Sequence, residues 1–245
     1  MAGTDSFQKK GGTDIKEQLK TVIHLENISK QFKSGRGVVN AVNNLTLKIE
    51  DRSTLVLFGK SGSGKTTLLN CIGGLDRPDN GKISISGIDI NALDEKSLSL
   101  FQRSRLGFIF QHSNLLNYLT VFQNIAFPLE LNGFDKGKIK KRVHELLDIT
   151  DLKGIDKAMP FELSGGEAQR VAFARAVAHK PDLILADEPT ASLDTETGKE
   201  LISFMFDTGK KADCIMIIAT HDKEVMGLAD IKVQMKDGKI VSEYL

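Results

Sequence analysis

The chain has 245 residues, enough for one domain with a sizeable core, or one domain carrying an insertion. Its 40% hydrophobic and 27% charged content excludes a wholly disordered or fibrous chain. With 33 Lys and Arg against 32 Asp and Glu, the net charge is +1, which excludes nucleic-acid affinity carried by an overall positive charge.

In chain order, residues 1–20 are polar and have no apolar stretch of the kind a secretory leader carries; they read as a loose tail. Thr21 to Ile28 alternates apolar and polar positions, and Leu45, Leu47 and Ile49 alternate more strictly, predicting two half-exposed antiparallel strands. Leu55-Val56-Leu57-Phe58 is continuously apolar, as are Leu183-Ile184-Leu185-Ala186 and Ile215-Met216-Ile217-Ile218. Such runs suit parallel strands covered on both faces. Ile83, Ile85 and Ile88 predict a further strand between Gly81 and Gly87. Helices are predicted over 66–72, 94–103, 136–148, 167–179 and 196–206. The result is an α/β fold: a parallel-sheet core, an antiparallel β part near the front, and a helical subdomain inserted at about 94–180, all within 21–245. No run approaches the roughly 18 apolar residues of a membrane-spanning helix. The two cysteines, Cys71 and Cys214, are too few for a disulfide framework and read as small buried residues in a reducing setting.

Gly59-Lys60-Ser61-Gly62-Ser63-Gly64-Lys65-Thr66 matches G-x-x-x-x-G-K-[ST], directly after one apolar strand and before the apolar helix around Leu68, Leu69 and Ile72. Glycines let the backbone curl so that successive N–H groups converge on an anion, and the helix adds its positive end. Lys65 then reaches the terminal phosphates and the Thr66 hydroxyl suits Mg²⁺, so this loop predicts nucleotide binding. A second strand ends in Asp187-Glu188. An Asp there can hold Mg²⁺ and the adjacent Glu can act as general base, although an acidic turn after a strand is also common. Leu163-Ser164-Gly165-Gly166-Glu167 opens an alanine-rich helix with the S-x-x-E spacing of a capping box. It is either an ordinary capped helix or a second anion site, offered to a partner's nucleotide in a homodimer.

Taken together and in this order, the phosphate loop, Leu-Ser-Gly-Gly-Glu-x-Gln, Leu-Ile-Leu-Ala-Asp-Glu and Ser192-Leu193-Asp194 resemble the nucleotide-binding subunits of ATP-binding cassette (ABC) transporters, over about residues 21–245. The resemblance implies a cassette that hydrolyses ATP with Mg²⁺ and dimerises around two ATP molecules. It implies binding of the nucleotide by residues 59–66 and Thr67, with Phe32 stacking on adenine, although Phe32 is also readable as a core residue of the β part. Lys65, Glu188, His221 and Gln111 are its implied catalytic set, and Thr66, Gln111 and Asp187 its implied metal contacts. Ser164, Gly165, Gly166, Glu167 and Gln169, with Asp194, would close over the partner's ATP.

Gly73-Gly74-Leu75-Asp76-Arg77-Pro78, Leu106 to Gln111, and Leu115 to Ile125 are similar to the subgroup of lipoprotein-releasing, macrolide-export and cell-division ATPases. Thr190-Ala191-Ser192-Leu193-Asp194 departs from that subgroup, which often has Gly and Asn before Leu-Asp. The implied partner is an integral membrane subunit, reached from the cytoplasmic face of the inner membrane, with no nucleic acid bound. The apolar residues of 112–131 form either a groove for that subunit or the core of the helical part. The basic run Lys136 to Arg142 reads as a solvated face or a lipid-headgroup contact. A soluble ABC ATPase acting on nucleic acid, and a catalytically silent subunit, are the rival functions.

Overall fold

The computed structural model describes residues 22–35, 37–50, 53–212 and 214–244. The tail predicted over 1–20 lies outside them. In chain order the elements are β1 (Val22–Ser34), β2 (Gly37–Glu50), β3 (Thr54–Phe58), α1 (Lys65–Ile72), β4 (Asn80–Ile85), β5 (Ile88–Asp89), α2 (Glu95–Arg105) and β6 (Leu106–Ile109). Then follow α3 (Val121–Leu131), α4 (Lys136–Ile149), α5 (Gly165–Val177), β7 (Leu183–Asp187), α6 (Thr195–Ala212), β8 (Ile215–Thr220), α7 (Lys223–Leu228), β9 (Ile231–Lys236) and β10 (Lys239–Tyr244).

Two sheets form. The first is antiparallel, in the order β2-β1-β4-β5. The alternating residues meet across it, with Ile23 opposite Ile49 and Leu25 opposite Leu47. Both strands run beyond the alternating stretch, to a hairpin where Phe32 faces Val39. The strand expected through Ile83, Ile85 and Ile88 is instead a tight hairpin, because Ser86 and Gly87 both take positive φ (50° and 78°). That pair of dihedrals closes a two-residue turn and folds β5 back on β4.

The second sheet runs β10-β9-β3-β8-β7-β6, with all but β10 parallel. It is buried on both faces, as its continuously apolar strands require. Val56, Ile184, Ala186, Met216 and Ile218 pack into one core with α3, α4, α5 and α6. The alternate residues Leu55, Leu57, Leu183, Leu185, Ile215 and Ile217 pack into a second core with α1 and the antiparallel sheet. Cys71 and Cys214 are both buried and neither forms a disulfide, and burial pushes the Cys71 thiol up to about 12.

The interval 94–180 is not one helical insertion. β6 lies inside it and pairs with β7 in the core sheet, while Phe101 of α2 packs into the core shared with the antiparallel sheet. The helical excursion proper is α3 to α5. Within it, buried Asn124 shapes the preceding loop: its Oδ1 accepts from Leu116 N (2.9 Å) and its amide donates to the carbonyls of Leu116, Leu119 and Thr120. Of the 112–131 residues read as groove or core, Ile125 is buried, Leu115 and Phe122 are partly buried against the core, and Tyr118 and Phe127 are exposed. The segment is thus core on one side and open surface on the other.

Candidate functional site

The parallel register assembles the site. Phe58 pairs with Thr220, and Asp187 with Ala219, so the carboxyl ends of β3, β8 and β7 stand side by side. Ligands in open α/β sheets bind at such strand ends. The phosphate loop leaves β3, the acid pair ends β7, and His221 follows β8.

The loop is seated on neighbouring backbone. A side chain at Gly64 (φ 101°) would meet the Ala41 carbonyl of β2 at 2.0 Å, so only glycine serves there. Ser63 is buried and its Oγ has no hydrogen-bond partner among the described residues. It lies against Gly59, across the curl of the loop. An unpaired buried hydroxyl in that position fits a loop built around an anion. Lys65 is also buried; its Nζ donates to the Gly59 carbonyl (3.0 Å) and stands 3.8 Å from Glu188 Oε1.

Thr66 Oγ1 donates to Asp187 Oδ1 (3.1 Å). Burial raises the Asp187 pKa, and the Glu188 charge adds to this, while the Thr66 hydrogen bond and Lys65 act the other way. Two hard oxygens at the foot of the loop suit Mg²⁺, which is usually held by one or two protein groups plus substrate phosphates.

Glu188 takes a positive φ of 44°, unusual for a side-chain-bearing residue, and its N–H is fixed to the Ala219 carbonyl (2.8 Å). The turn separates its carboxylate from that of Asp187. One oxygen faces Lys65 and the other accepts from His221 Nδ1 at 2.9 Å. The imidazole is 71% exposed, so it reaches the open side of the site. Lys65, Glu188 and His221 therefore form one line running from the buried loop to the surface.

A second group forms around α5. Ser164 is the N-cap: its Oγ accepts from Glu167 N (3.3 Å), and Glu167 accepts in return from Ser164 N (2.8 Å) and Oγ (2.7 Å). These bonds hold the Glu167 carboxyl below its ordinary range. Ser164 and Gly165 are exposed, whereas Gly166 is buried against α6, where a side chain would meet Thr197 Cγ2 at 2.5 Å.

Gln169 departs from expectation. Its side chain is buried and donates to the carbonyls of Phe110 (3.1 Å) and Gln111 (2.8 Å) in its own chain. Facing inward, it is not placed to close over a partner's nucleotide. Arg175, which the sequence reading passed over, donates to the carbonyls of Asn114 (2.8 Å) and Ser113 (3.0 Å). Gln169 and Arg175 together hold the 110–114 loop from one helix. Their signal was two polar residues in an alanine-rich run. Gln111 is exposed, and its carbonyl also accepts from Ser192 Oγ at 3.4 Å. Asp194 caps α6 by accepting from Thr197 N (3.0 Å). Phe32 is 43% exposed on the β1–β2 hairpin, opposite Val39 and two residues along β2 from the Ala41 that touches the loop. It is thus a surface ring near the loop and no core residue of the β part. Thr67 follows Thr66 in α1, half-buried, and Lys60, Ser61 and Gly62 are exposed.

Comparison with known proteins gives three concordant findings. The family model described as ABC transporter matches residues 42–191. The chain is 40% identical over 223 residues to a methionine import ATP-binding protein MetN of Rhizobium johnstonii, covering 91% of the chain and 60% of that relative; it thus spans only part of the methionine-import relatives. It is 37% identical over 220 residues to an uncharacterized ABC transporter ATP-binding protein of Mycobacterium tuberculosis, covering 90% of the chain and 89% of that relative. The fold superposes with TM-score 0.84 and 35% identity on the ATP-binding cassette MJ0796 in a dimeric post-hydrolysis state with ADP and Pi, covering 91% of this chain and 97% of that one. With phosphate loop, acid pair and strand-end histidine meeting at the carboxyl ends of adjacent strands on this fold, the chain belongs to the ABC transporter family, as one of its ATP-binding domains.

Proposed function

We propose that this chain binds and hydrolyses ATP with Mg²⁺, dimerises with a second copy around two ATP molecules, and drives a conformational change in a separate integral membrane subunit. The observation that carries the reading is the line Lys65–Glu188–His221 beside the Thr66–Asp187 pair. Backbone N–H groups of 59–64 and the end of α1 bind the phosphates. Lys65 exchanges its loop carbonyl for a terminal phosphate oxygen. Glu188 takes the proton from a water attacking the γ-phosphorus, the β–γ bridge bond breaks, and ADP leaves with the bridging oxygen. His221 orients the Glu188 carboxylate through the 2.9 Å bond and faces the γ-phosphate from the open side. Thr66 and Asp187 would hold Mg²⁺, with Gln111 from the opposite loop; bound there, the ion neutralises charge on the phosphate oxygens.

Dimerisation is supported by the exposed, glycine-flanked α5 terminus at Ser164, which has uncovered N–H groups to offer to a partner's γ-phosphate. The bacterial ABC transporter cassette MJ0796, 35% identical to this chain, is a dimer in its solved structure, which supports dimerisation here. Asp194, in the turn between the acid pair and α6, would approach the partner there. A membrane partner is supported by the family. Its docking surface would be the open side of 112–131, at the cytoplasmic face of the membrane. The subgroup reading rests on the Gly73–Pro78 and Leu115–Ile125 motifs and makes the partner one that converts ATP into mechanical motion.

Glu188→Gln tests the core of this reading. Hydrolysis measured under single-turnover conditions should fall by at least about 10²-fold while ATP binding persists. Undiminished hydrolysis would refute the general-base role. Co-purification from detergent-solubilised membranes tests the subgroup, and recovery of a methionine permease would overturn it.

A further inference from the structure

Lys30 is used by nothing so far described, yet its ammonium is closely held. It lies 2.7 Å from Asp76 Oδ1 and 3.8 Å from Asp79 Oδ1, and donates to the Arg77 carbonyl at 2.7 Å. The same Nζ stands 5.4 Å from the centroid of the Phe32 ring, inside the range of a cation–π contact. Lys30 and Phe32 are two apart on β1, the spacing that returns a strand side chain to the same face.

The acidic post that holds Lys30 is itself rigid. Residues 73–79 follow directly on α1, the helix that starts in the phosphate loop. The Gln102 side chain donates to the carbonyls of Gly73 and Gly74, and Arg77 donates to the carbonyl of Leu93. The post also grips the strand: Asp79 Oδ2 accepts from Gln31 N at 2.6 Å, and Asp79 N donates to Ser29 O at 2.8 Å. The ammonium so pinned stands over one face of the exposed Phe32 ring.

We infer that Lys30 is a positioning residue for the nucleotide base: it holds the Phe32 ring from one face and ties it, through Asp76 and Asp79, to the helix that bears the phosphate loop. Phosphates and base are then held by two surfaces of fixed separation, and the ordering cost is met before the nucleotide arrives. The inference rests on Phe32 being the base platform.

The test compares ADP with inorganic pyrophosphate, because the second probe lacks the base and neither is hydrolysed at the γ position. Affinities of the full chain are measured by titration calorimetry. Phe32→Ala should weaken ADP about tenfold and leave pyrophosphate unchanged. Lys30→Met should weaken ADP about three- to fivefold, again sparing pyrophosphate. Lys30→Arg, which keeps the ion pair and the cation over the ring, should restore ADP to within about twofold. In the Phe32→Ala background, Lys30→Met should cost nothing further.

Equal weakening of ADP and pyrophosphate by Lys30→Met would make Lys30 a mere brace of the loop and overturn the inference. So would an unchanged ADP affinity, or a full loss in the Phe32→Ala background. An unchanged ADP affinity in Phe32→Ala overturns the platform reading itself, a different result from failure of Lys30→Met alone. Should Lys30→Met fail to fold, Asp76→Asn loosens the same ammonium. It should weaken ADP selectively, and no change there overturns the inference.

Discussion

Asp187 and Glu188 are neighbours in sequence, and the chain holds their carboxylates in different surroundings. Asp187 stays within the strand end, where burial raises its pKa; Glu188 turns through a positive φ toward Lys65 and His221. Because folding raises the Asp187 pKa, the folded form binds the proton more tightly than the unfolded form. Its ionisation therefore costs folding stability as pH rises past the ordinary carboxylate range. Asp187→Asn should remove that cost and raise the melting temperature of the nucleotide-free protein at neutral pH, each kcal/mol recovered appearing as about 2–4 °C. The same variant should lose the extra stabilisation that Mg²⁺–ATP confers on the wild type. A thermal melt with and without Mg²⁺–ATP checks both, and a lower melting temperature without nucleotide would contradict the sign. The acid pair was legible from its apolar strand. Gln169 was misread because a motif assigns a residue to a function without its direction, and direction depends on which loop packs against the helix.

The helix α5 shows the same division among elements. Its start was readable from Ser164 and Glu167, since capping is a local pattern. Its packing was not. Gly107 of β6 lies so close to α5 that a side chain would meet the Ala176 carbonyl at 2.5 Å. Just past the helix end, His179 Nε2 donates to the Leu106 carbonyl at 3.0 Å, and its Nδ1 has no partner among the described residues. Burial holds its pKa below the ordinary 6.5, partly opposed by the Leu106 bond. Folding thus favours the neutral ring, and stability drops as pH falls through about 6.5 toward the lowered value. Melting temperatures at pH 7.5 and 5.5 should differ less in His179→Gln than in wild type; an unchanged difference would assign the acid sensitivity to other groups. β6 escaped prediction because four residues containing a glycine carry little strand signal. α3 escaped because it is apolar on most sides and contains Pro128, a residue that ordinarily argues against a helix interior.

For the whole molecule, the phosphate loop and the Ser164 end each put a glycine-flanked helix N-terminus on one chain, and the proposed dimer gives each ATP one of each. Ser164→Arg places a bulky side chain at the exposed α5 terminus. In gel filtration with Mg²⁺–ATP it should remain monomeric where the wild type dimerises, and its turnover should fall with dimerisation. Normal dimerisation and turnover in that variant would remove the Ser164 end from the interface. The buried runs, the phosphate loop and the acid-ended strand determined the α/β class and the nucleotide chemistry, and with the Ser164 motif and Ser192-Leu193-Asp194 the family, because each is a local pattern. Only the tertiary structure decided that β6 belongs to the core sheet, that Gln169 and Arg175 grip the 110–114 loop, and that Lys30 stands over Phe32. Arg175 and its partners Asn114 and Ser113, for example, lie 61 and 62 positions apart. Such distant pairs meet only once two faces of one sheet have been buried, and that is a property of packing, which no local spacing encodes.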